Sequence, residues 1–373
     1  MSPESPQSQQ RLQSLDVLRG FDMFWIMGGE GIFLTLATLT GWPVFVWWAK
    51  QLEHVPWHGF VFYDMIFPLF LFIAGISFPF SYAKRFQGPE NRKALYSHII
   101  KRGLLLVVLG IIYNNGVSFD FAQNRYGSVL GHIGLAWMFA ALIFINTRLT
   151  YRIVWFWGLL IVYYLLLVLF PAHDLGSTDP FSLEGSLAGY IDRHYMPGTL
   201  YLKIHDPEGF LSTIPAIGTA LLGMLTGQFV MSPYLREKPF TKVMYMALAA
   251  VGLMMIGLGW NVFFPINKNL WTSSFVCFVG GLSLLLFTLF YLVIDVLKYR
   301  KWTTFFVVIG VNSIAIYMAH ALIDFDFTTK FLFGSFIGLF ASNLEPLLHA
   351  IAFFVVSWLF LYFLYKKKIF FKV

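Results

Sequence analysis

Charged side chains are scarce in this chain of 373 residues. Asp, Glu, Lys and Arg make up 12% of it, whereas hydrophobic residues make up 58%, and the mean hydropathy is +0.69. Soluble domains carry about 25% charged residues, so this composition excludes an ordinary soluble domain. Aromatic residues, at 19%, fit a chain that is solvated by lipid and places rings at the membrane interfaces.

Cysteine is almost absent, since Cys277 in an apolar run is the only one. A single thiol forms no disulfide within the chain and no cysteine-based metal site, and we expect no bound metal. The net charge of +7 could point to nucleic acid. However, the basic residues form short clusters between apolar runs, which indicates membrane topology and no nucleic-acid partner. We expect no cleaved signal peptide before the first apolar run.

Ten apolar runs are long enough to cross a bilayer, which takes about 20 mostly apolar residues. They lie at roughly 20–39, 60–82, 99–116, 128–147, 152–170, 208–230, 241–264, 270–295, 304–323 and 346–365. The apolar piece at 331–340 is too short to span, and we expect it at the interface or as a re-entrant segment. The sequence therefore predicts an all-α, polytopic transmembrane helical bundle of about ten spans. We divide it into a polar cytoplasmic tail, 1–15, and a single transmembrane domain, 16–373.

Lysine and arginine lie mostly on one side of the predicted bundle. All but six of the 26 basic residues fall in the N-terminal segment, the even-numbered loops and the C-terminal "KKKIFFKV". By the positive-inside rule both termini are then cytoplasmic (N-in/C-in). The long loop 171–207 is external and acidic, which favours a cationic or hydroxylated ligand. The alternative is that acids are merely tolerated outside, because the rule hardly counts them.

The stretch "QLEHVPWHGFVFYDMIFPLF" places ionisable groups at the external end of a span. Asp64 lies about 7–8 Å along its predicted helix, where a carboxylate is expensive unless it is paired or faces a cavity. An imidazole is its natural partner, because a carboxylate orients the ring and leaves the other nitrogen free as base or nucleophile. The spacing does not choose between His54 and His58. The alternative is a structural carboxylate beside a solvated histidine.

The stretch "KIHDPEGFLSTIPAIGTALLGMLTG" has the pattern of a helix start. Asp206 would cap the helix, Pro207 would occupy its first position and Glu208 its first turn. Further along, Gly223 and Gly227 form a GxxxG face for close helix packing. That face permits a homodimer.

The stretch "NVFFPINKNLWTSSF" predicts an external hairpin. Asn267, Lys268 and Asn269 lie at its tip, Asn269 can cap the next helix, and Trp271 is expected at the interface. Lys268 is one of the rare external bases, so it could offset nearby carboxylates or bind an anionic group. The alternative is that Lys268 and Trp271 are ordinary membrane-boundary anchors.

Two further polar groups have mainly structural interpretations. In "GVNSIAIYMAHALID", Asn312 and His320 are eight residues apart, hence on one helical face, and a hydrogen-bonding role is favoured. In "SLDVLRGFD", Asp16, Arg19 and Asp22 cluster at the inner end of the first helix. We expect an ion pair that sets the helix depth, with binding of a cytoplasmic anionic ligand as the alternative.

Five of these stretches, taken in order, resemble the heparan-α-glucosaminide N-acetyltransferase family. They are "RLQSLDVLRGFD", "HVPWHGFVFYDMIFP", "HDPEGFLSTIPAIGTALLGMLTG", "PINKNLWTSSF" and "GVNSIAIYMAH", between about residues 11 and 322. This is a family of polytopic membrane acyltransferases with many bacterial members. The resemblance implies transfer of acetyl from cytoplasmic acetyl-CoA to the amino group of a glucosamine unit beyond the membrane. It also implies a location in a bacterial inner membrane.

The resemblance carries roles to individual residues. The family's catalytic histidine precedes a pattern that is "VPWHG" here, which implies His54 and demotes His58. The family's active-site carboxylate matches Asp64. The DPEG and NKN-L-W motifs imply substrate contacts from a further set of residues, namely Asp206, Glu208, Asn267, Lys268, Asn269 and Trp271. The chain departs from the family at Glu30, where members resembling the lysosomal enzyme carry asparagine. A carboxylate there changes the acceptor or adds a second base.

The resemblance also implies a route for the donor. Acetyl-CoA is too polar to cross about 30 Å of hydrocarbon, so we expect its nucleotide at the cytoplasmic ends and its pantetheine arm inside the bundle. His54 would form an acyl-imidazole or deprotonate the acceptor, and ping-pong and ternary-complex schemes both stay open. The acceptor would be an amino sugar or a glucosamine-terminated oligosaccharide. The competing functions are a proton-coupled amino-sugar transporter and a polysaccharide O-acetyltransferase.

Overall fold

The computed structural model describes residues 12–85, 92–116, 118, 120–235 and 237–371, and within them the chain is predominantly helical. The helices are α1 (Gln13–Phe24), α2 (Glu30–Thr40), α3 (Pro43–Gln51), α4 (Ile66–Arg85), α5 (Arg92–Asn115), α6 (Val129–Asn146), α7 (Leu149–Leu169), α8 (Leu187–Tyr195), α9 (Thr213–Met231), α10 (Pro239–Trp260), α11 (Ser273–Phe290), α12 (Thr303–Gly310), α13 (Ser313–Leu322), α14 (Phe325–Ile337) and α15 (Glu345–Lys366). Short π-helical segments, Trp25–Gly29 and Tyr291–Val296, follow α1 and α11.

Nine helical segments in the described part of the chain are long and apolar enough to cross a membrane. They comprise α4 to α7, α9 to α11, α15 and the segment Gln13–Thr40 that joins α1 to α2. The pair α12 and α13 makes a tenth if it counts as one span bent by 61°. The predicted all-α polytopic bundle is therefore confirmed. The orientation of its termini stays a prediction.

The first span is broken, although its sequence predicts one helix at 20–39. It begins at Gln13, inside the predicted polar tail, of which residues 1–11 lie outside the described part. The backbone departs from helical geometry at Met27 and at Gly28, whose φ is +115°. Glycine adopts that conformation without the steric penalty that a Cβ would bring. The break makes Glu30 the first residue of α2.

The penultimate span is also broken, at Asn312, which is the N-cap residue of the helix that contains His320. Asn312 lies between α12 and α13, where its side chain donates to the carbonyl of Ile369 at 3.0 Å and accepts from the amide of Phe371 at 3.2 Å. His320 Nε2 lies 3.3 Å from the hydroxyl of Ser357 on α15. Both side chains hold the C-terminal segment against the bundle.

Helix α1 carries an ion pair and a separate buried carboxylate. Arg19 lies 3.6 Å from Asp16 and donates to the hydroxyl of Ser77 on α4 at 3.1 Å. Asp22 is fully buried, and its oxygens accept no hydrogen bond from the described residues. The expected cluster of three therefore divides into an ion pair and a carboxylate without a hydrogen-bond donor among the described residues.

Helices α4 and α9 pack with their backbones in close contact at the centre of the bundle. A Cβ atom at Gly223 would lie 2.2 Å from the carbonyl oxygen of Phe72, and one at Gly227 would lie 2.4 Å from that of Ile76. Small residues permit this approach between membrane helices. Because the GxxxG face is buried against α4, it offers no free surface for the homodimer that the sequence permits.

This packing predicts a selective loss of stability. Replacing Gly223 with alanine forces a methyl group into the Phe72 carbonyl, and overpacking of this kind typically costs about 1–3 kcal/mol. We expect Gly223→Ala to lower the thermal unfolding temperature of the detergent-solubilised protein. Gly252 on α10 is the matched control, because a Cβ there meets no described atom within 4 Å. Equal melting temperatures for the two variants would contradict the packing.

Candidate functional site

The loop between α3 and α4 holds a histidine against a buried carboxylate. A 3₁₀ turn, Phe62–Met65, precedes α4, so Asp64 lies at the head of the helix rather than five residues into it. Asp64 is fully buried. One of its oxygens accepts from the amide of Val61 at 3.1 Å, and the other lies 2.7 Å from Nδ1 of His54.

The structure separates the two histidines that the spacing leaves equivalent. His54 meets Asp64, and its ring lies 5.0 Å from that of Tyr63. His58 instead accepts a hydrogen bond from the side-chain amide of Asn267 at 3.3 Å. Burial lowers the pKa of His58, against the charge of Asp179, which raises it. The two rings are therefore held in different environments.

Lys268 closes the group around His54. Its ammonium lies 2.9 Å from Nε2 of the ring and 3.9 Å from the carboxylate of Asp64. Because Nε2 accepts from this ammonium, the ring proton lies on Nδ1, which donates it to Asp64. Burial lowers the pKa of Lys268, and the charges of Asp64 and Glu208 oppose that shift.

The NKN loop takes a different shape from the predicted hairpin. Asn267 accepts from the amide of Leu270 at 2.9 Å and so folds the tip of the loop. Thr272, not Asn269, caps α11 by accepting from the amide of Phe275. The prediction that Asn269 caps this helix is therefore wrong.

Trp271 is wholly buried, so its expected place at the interface is also wrong. Its backbone has a φ of +52°, and its indole donates to the hydroxyl of Thr219 on α9 at 3.2 Å. The ring packs 4.9 Å from that of Phe67. It supports the wall of the site from inside the core.

The DPEG motif is a turn, and the prediction that Asp206 starts a helix is wrong. Helix α9 begins at Thr213. Arg125, from the loop before α6, instead donates to both oxygens of Asp206 at 2.8 and 2.7 Å. One of those oxygens also accepts from the amide of Glu208 at 3.1 Å. Burial raises the pKa of Asp206, but the hydrogen bonds and the charge of Arg125 lower it by more, so the pKa lies below its ordinary value.

Glu208, the glutamate of the DPEG turn, lines the same cavity as His54. Arg125 donates to it at 2.5 Å. Burial and the neighbouring charge of Asp206 raise the pKa of Glu208 to about 7, against the opposing charges of Arg125 and Lys268. The motif thus contributes a carboxylate that binds its proton more tightly than an ordinary glutamate.

Two neighbouring cavities flank this group. The first has a volume of about 180 Å³ and is lined by His54, Glu208 and Lys268, with mostly apolar side chains of α1, α4, α6 and α13 around the rest. The second is larger, about 630 Å³, and more polar. Ile26 and Tyr317 line both cavities, so they form a shared partition.

The second cavity carries acidic and aromatic side chains. Its lining includes Glu30, Asp324, Asp326, His320 and Tyr113. Glu30 shares a hydrogen bond with the hydroxyl of Tyr63, which lines the first cavity.

The ring of Tyr113 stacks on that of Tyr317 at 4.2 Å. The partition between the two cavities therefore has an aromatic pair at one point and the Glu30–Tyr63 hydrogen bond at another.

Several residues that complete the site are missing from the sequence-based prediction. Arg125 could have been found, because it is one of only six predicted external bases. Tyr63 carries no local signal, since its partner Glu30 belongs to another helix. Within the described ranges, no three His, Cys, Asp or Glu side chains are grouped as metal ligands.

The sequence of this chain is similar to those of two known N-acetyltransferases of the same name. No protein-family model matches the chain. The heparan-α-glucosaminide N-acetyltransferase of Mus musculus is 28% identical over an alignment 430 positions long, which covers 98% of this chain and 62% of that protein. The Homo sapiens protein of the same name is 28% identical over 424 positions, covering 97% and 60%. The chain thus spans about three-fifths of the length of these relatives. Both relatives carry the name of the family that the motifs resemble, so that resemblance is confirmed over nearly the whole chain.

Proposed function

We propose that this protein is a membrane acetyltransferase. It moves acetyl from cytoplasmic acetyl-CoA to the amino group of a glucosamine-type sugar on the external side of a bacterial inner membrane. The observation that carries the proposal is the contact of His54 with buried Asp64 and with Lys268 at the end of an apolar cavity. The similarity to two N-acetyltransferases over nearly the whole chain supports the same reaction class.

His54 is the base or the nucleophile. Asp64 accepts a hydrogen bond from the protonated Nδ1, so the lone pair of Nε2 is free to react. In one scheme the nitrogen of the sugar amine attacks the thioester while Nε2 of His54 takes a proton from that amine. The proton then passes to the leaving thiolate. In the other, Nε2 attacks first, the C–S bond breaks, and the sugar amine then displaces the imidazole. Both schemes form one amide and release one thiol.

Lys268 is the group that stabilises the oxyanion in the proposed site. Negative charge develops on the thioester oxygen in either scheme, and a donor already aimed at that position stabilises the transition state. The ammonium lies 2.9 Å from the reacting nitrogen, so an acetyl group placed against Nε2 would bring its oxygen beside Lys268. Entry of the donor then replaces the contact of Lys268 with the ring.

The first cavity is the proposed place for the acetyl end of the donor. Its walls are apolar side chains of four membrane helices, including Met23, Phe70 and Ile133. A pantetheine arm is slender and uncharged, whereas the nucleotide carries phosphates that belong near the basic cytoplasmic ends. The arm alone would therefore enter the hydrocarbon region of the bundle.

The second cavity is the proposed place for the acceptor. A protonated amino sugar is a cation with many hydroxyls, and the carboxylates of Glu30 and Asp324 supply both charge and acceptors. The ammonium would give its extra proton to a carboxylate of this cavity before the neutral amine attacks. Pockets of about 300–1,000 Å³ are usual for small ligands. Glu30 lies nearest the chemistry, because it is joined through Tyr63 to the ring of His54.

The decisive assay uses proteoliposomes with acetyl-CoA on the cytoplasmic side and glucosamine on the other. We expect equal amounts of free thiol and of an acetylated sugar with a base-stable amide. A base-labile ester would indicate O-acetylation, and movement of unmodified sugar without acetyl-CoA would indicate a transporter.

In the same assay His54→Ala should lose activity by at least about a hundredfold, the usual contribution of a general base. His173→Ala is the control, because that ring is exposed in the same external layer. Full activity of His54→Ala would refute the catalytic assignment.

Glu30 should control affinity for the cationic acceptor. In Glu30→Gln we expect the KM for glucosamine to rise about tenfold, because loss of about 1.4 kcal/mol of attraction is a tenfold change in binding. The KM for acetyl-CoA should stay the same. Glu53→Gln is the matched control, since Glu53 is an exposed carboxylate in the neighbouring loop. A parallel rise in both KM values would place Glu30 outside the acceptor site.

Lys268 should impose an alkaline limit on the rate. The charged ammonium is the active form, so activity is retained below its pKa and lost as the pH rises through it. Burial lowers that pKa, which moves the limit below the ordinary range of lysine. In Lys268→Arg the limit should disappear, because a guanidinium stays charged throughout.

The matching loss-of-function variant is Lys268→Met. Its kcat should fall by about 10²–10³, the usual effect of removing one oxyanion donor. An unchanged alkaline limb in Lys268→Arg would show that another group titrates.

A further inference from the structure

A third cavity lies at the end of the bundle away from His54, and the proposed chemistry does not use it. Its volume is about 500 Å³, and it is enclosed by the last turns of α4 and α9, the end of α6 and the start of α7. Most of its lining is apolar, and the polar members are Tyr82, Arg152, Gln228 and Ser232. The positive-inside rule predicts that this end of the bundle is cytoplasmic.

Arg152 brings a positive charge into this cavity. Its guanidinium donates to the side-chain oxygen of Gln228 at 2.6 Å and to the carbonyl of Phe144 at 2.5 Å, and it lies 3.6 Å from the centre of the Phe144 ring. Within the described part of the chain, its Nε has no hydrogen-bond partner. Among the described residues that line the cavity there is no carboxylate. The named partners of this cation are therefore all uncharged.

Other arginines of the protein have a negatively charged partner. Four of them form ion pairs with carboxylates, namely Arg19, Arg125, Arg193 and Arg300. An ionisable side chain in a membrane helix is usually paired or faces a functional cavity. Arg152 lies in a membrane helix and faces a cavity, which leaves room beside it for an anion from outside the chain.

Neighbouring groups add to the positive potential at this end. Lys242 on α10 donates to the carbonyl of Ser232, a lining residue, at 3.2 Å. Helix α7 begins at Leu149, and its N-cap residue Arg148 makes no side-chain cap hydrogen bond. The first amides of this 21-residue helix therefore contribute the positive end of its dipole. An anion beside Arg152 would be attracted by all of these groups.

The apolar lining indicates which kind of anion fits. A free phosphate would lose hydration against side chains such as Pro79 and Phe229, whereas a phospholipid has an acyl chain to cover them. Leu149 lines the cavity and is half exposed, so the cavity reaches the lipid-facing surface of the bundle. Basic pockets between membrane helices are known to bind anionic lipid head groups. We propose that this cavity binds one anionic phospholipid, with its phosphate on Arg152.

Packed side chains separate this cavity from the one proposed for the acetyl end of the donor. On α6, Ile133 lines the first cavity and Phe144 the third, and 11 residues of helix span about 16 Å. Trp137 lies between them and is buried. The ring of Phe78 on α4 packs against Trp137 at 5.5 Å and against Phe144 at 5.7 Å. These rings fill the interior, so the lipid site is distinct from the proposed path of the pantetheine arm.

Lipid binding is tested without any acetyl transfer. The full chain is delipidated in detergent, and its unfolding temperature is measured with phosphatidylglycerol or with phosphatidylcholine of the same acyl chains. We expect phosphatidylglycerol to raise that temperature and phosphatidylcholine to leave it nearly unchanged. In Arg152→Gln the half-saturating concentration of phosphatidylglycerol should rise about tenfold, because hydrogen bonds to a charged group are lost. Arg148→Gln is the matched control, since that exposed side chain precedes the same helix and does not line the cavity.

Two kinds of result would overturn the proposal. Equal stabilisation by the two lipids, or an unchanged half-saturating concentration in Arg152→Gln, would show that Arg152 holds no head group. The same Arg152-dependent stabilisation by inorganic phosphate or by acetyl-CoA would assign the cavity to a soluble anion.

Native mass spectrometry of the wild-type chain gives a second test if Arg152→Gln does not fold. One phosphatidylglycerol per chain should survive activation that removes phosphatidylcholine, and loss of both lipids together would refute the site. Neither measurement needs acetyl transfer, so the lipid site and the proposed function can fail separately.

Discussion

The part of this protein that carries the candidate site depends on the pairing of a buried carboxylate at the head of helix α4. Asp64 is fully buried, and an ionised carboxylate in such a place is tolerated only with hydrogen-bond donors and an opposite charge. The amide of Val61, the ring of His54 and the ammonium of Lys268 satisfy it together. Because those groups come from two separate loops, the carboxylate fixes both loops over the same end of the bundle.

The same requirement recurs in a second layer. Asp206 and Glu208 share the guanidinium of Arg125, and Asp192 faces His205. Each acid is withdrawn from water and each has a nearby cationic or donor group, so the loops around the site are ordered by electrostatic pairing. The helices beneath are ordered differently, by glycine contacts such as those of Gly223 with α4. The site thus lies at the boundary between two kinds of packing.

Hydropathy was sufficient to predict the bundle, because about 20 apolar residues in a row have few alternatives to a spanning helix. It did not reveal the breaks at Gly28 and Asn312, since a local change of φ or a side chain bound to the distant C-terminal segment leaves no trace in hydropathy. Local capping rules also failed at Asp206. The pattern of a helix start was present, but Arg125, 81 positions away, offered the carboxylate a stronger partner than the helix amides.

The candidate site was predictable in part for a related reason. Short-range patterns singled out His54, Asp64 and Lys268 as candidates, and the family resemblance chose between the histidines. The shape of the loop that carries Lys268 depends on contacts between distant segments. The indole of Trp271 binds Thr219 in the core, and the carbonyl of Asn269 contacts His205. No spacing rule contains that information.

The partition formed by Ile26 and Tyr317 has a consequence for the membrane as a permeability barrier. A protein that brings a cytoplasmic thioester to an external sugar risks opening a path for ions and protons, which would dissipate the gradient across the membrane. Two cavities that meet at a pair of bulky side chains need no continuous aqueous pore. In the proposed reaction only a two-carbon fragment would pass the partition, and the bilayer would stay sealed to both of the molecules that exchange it.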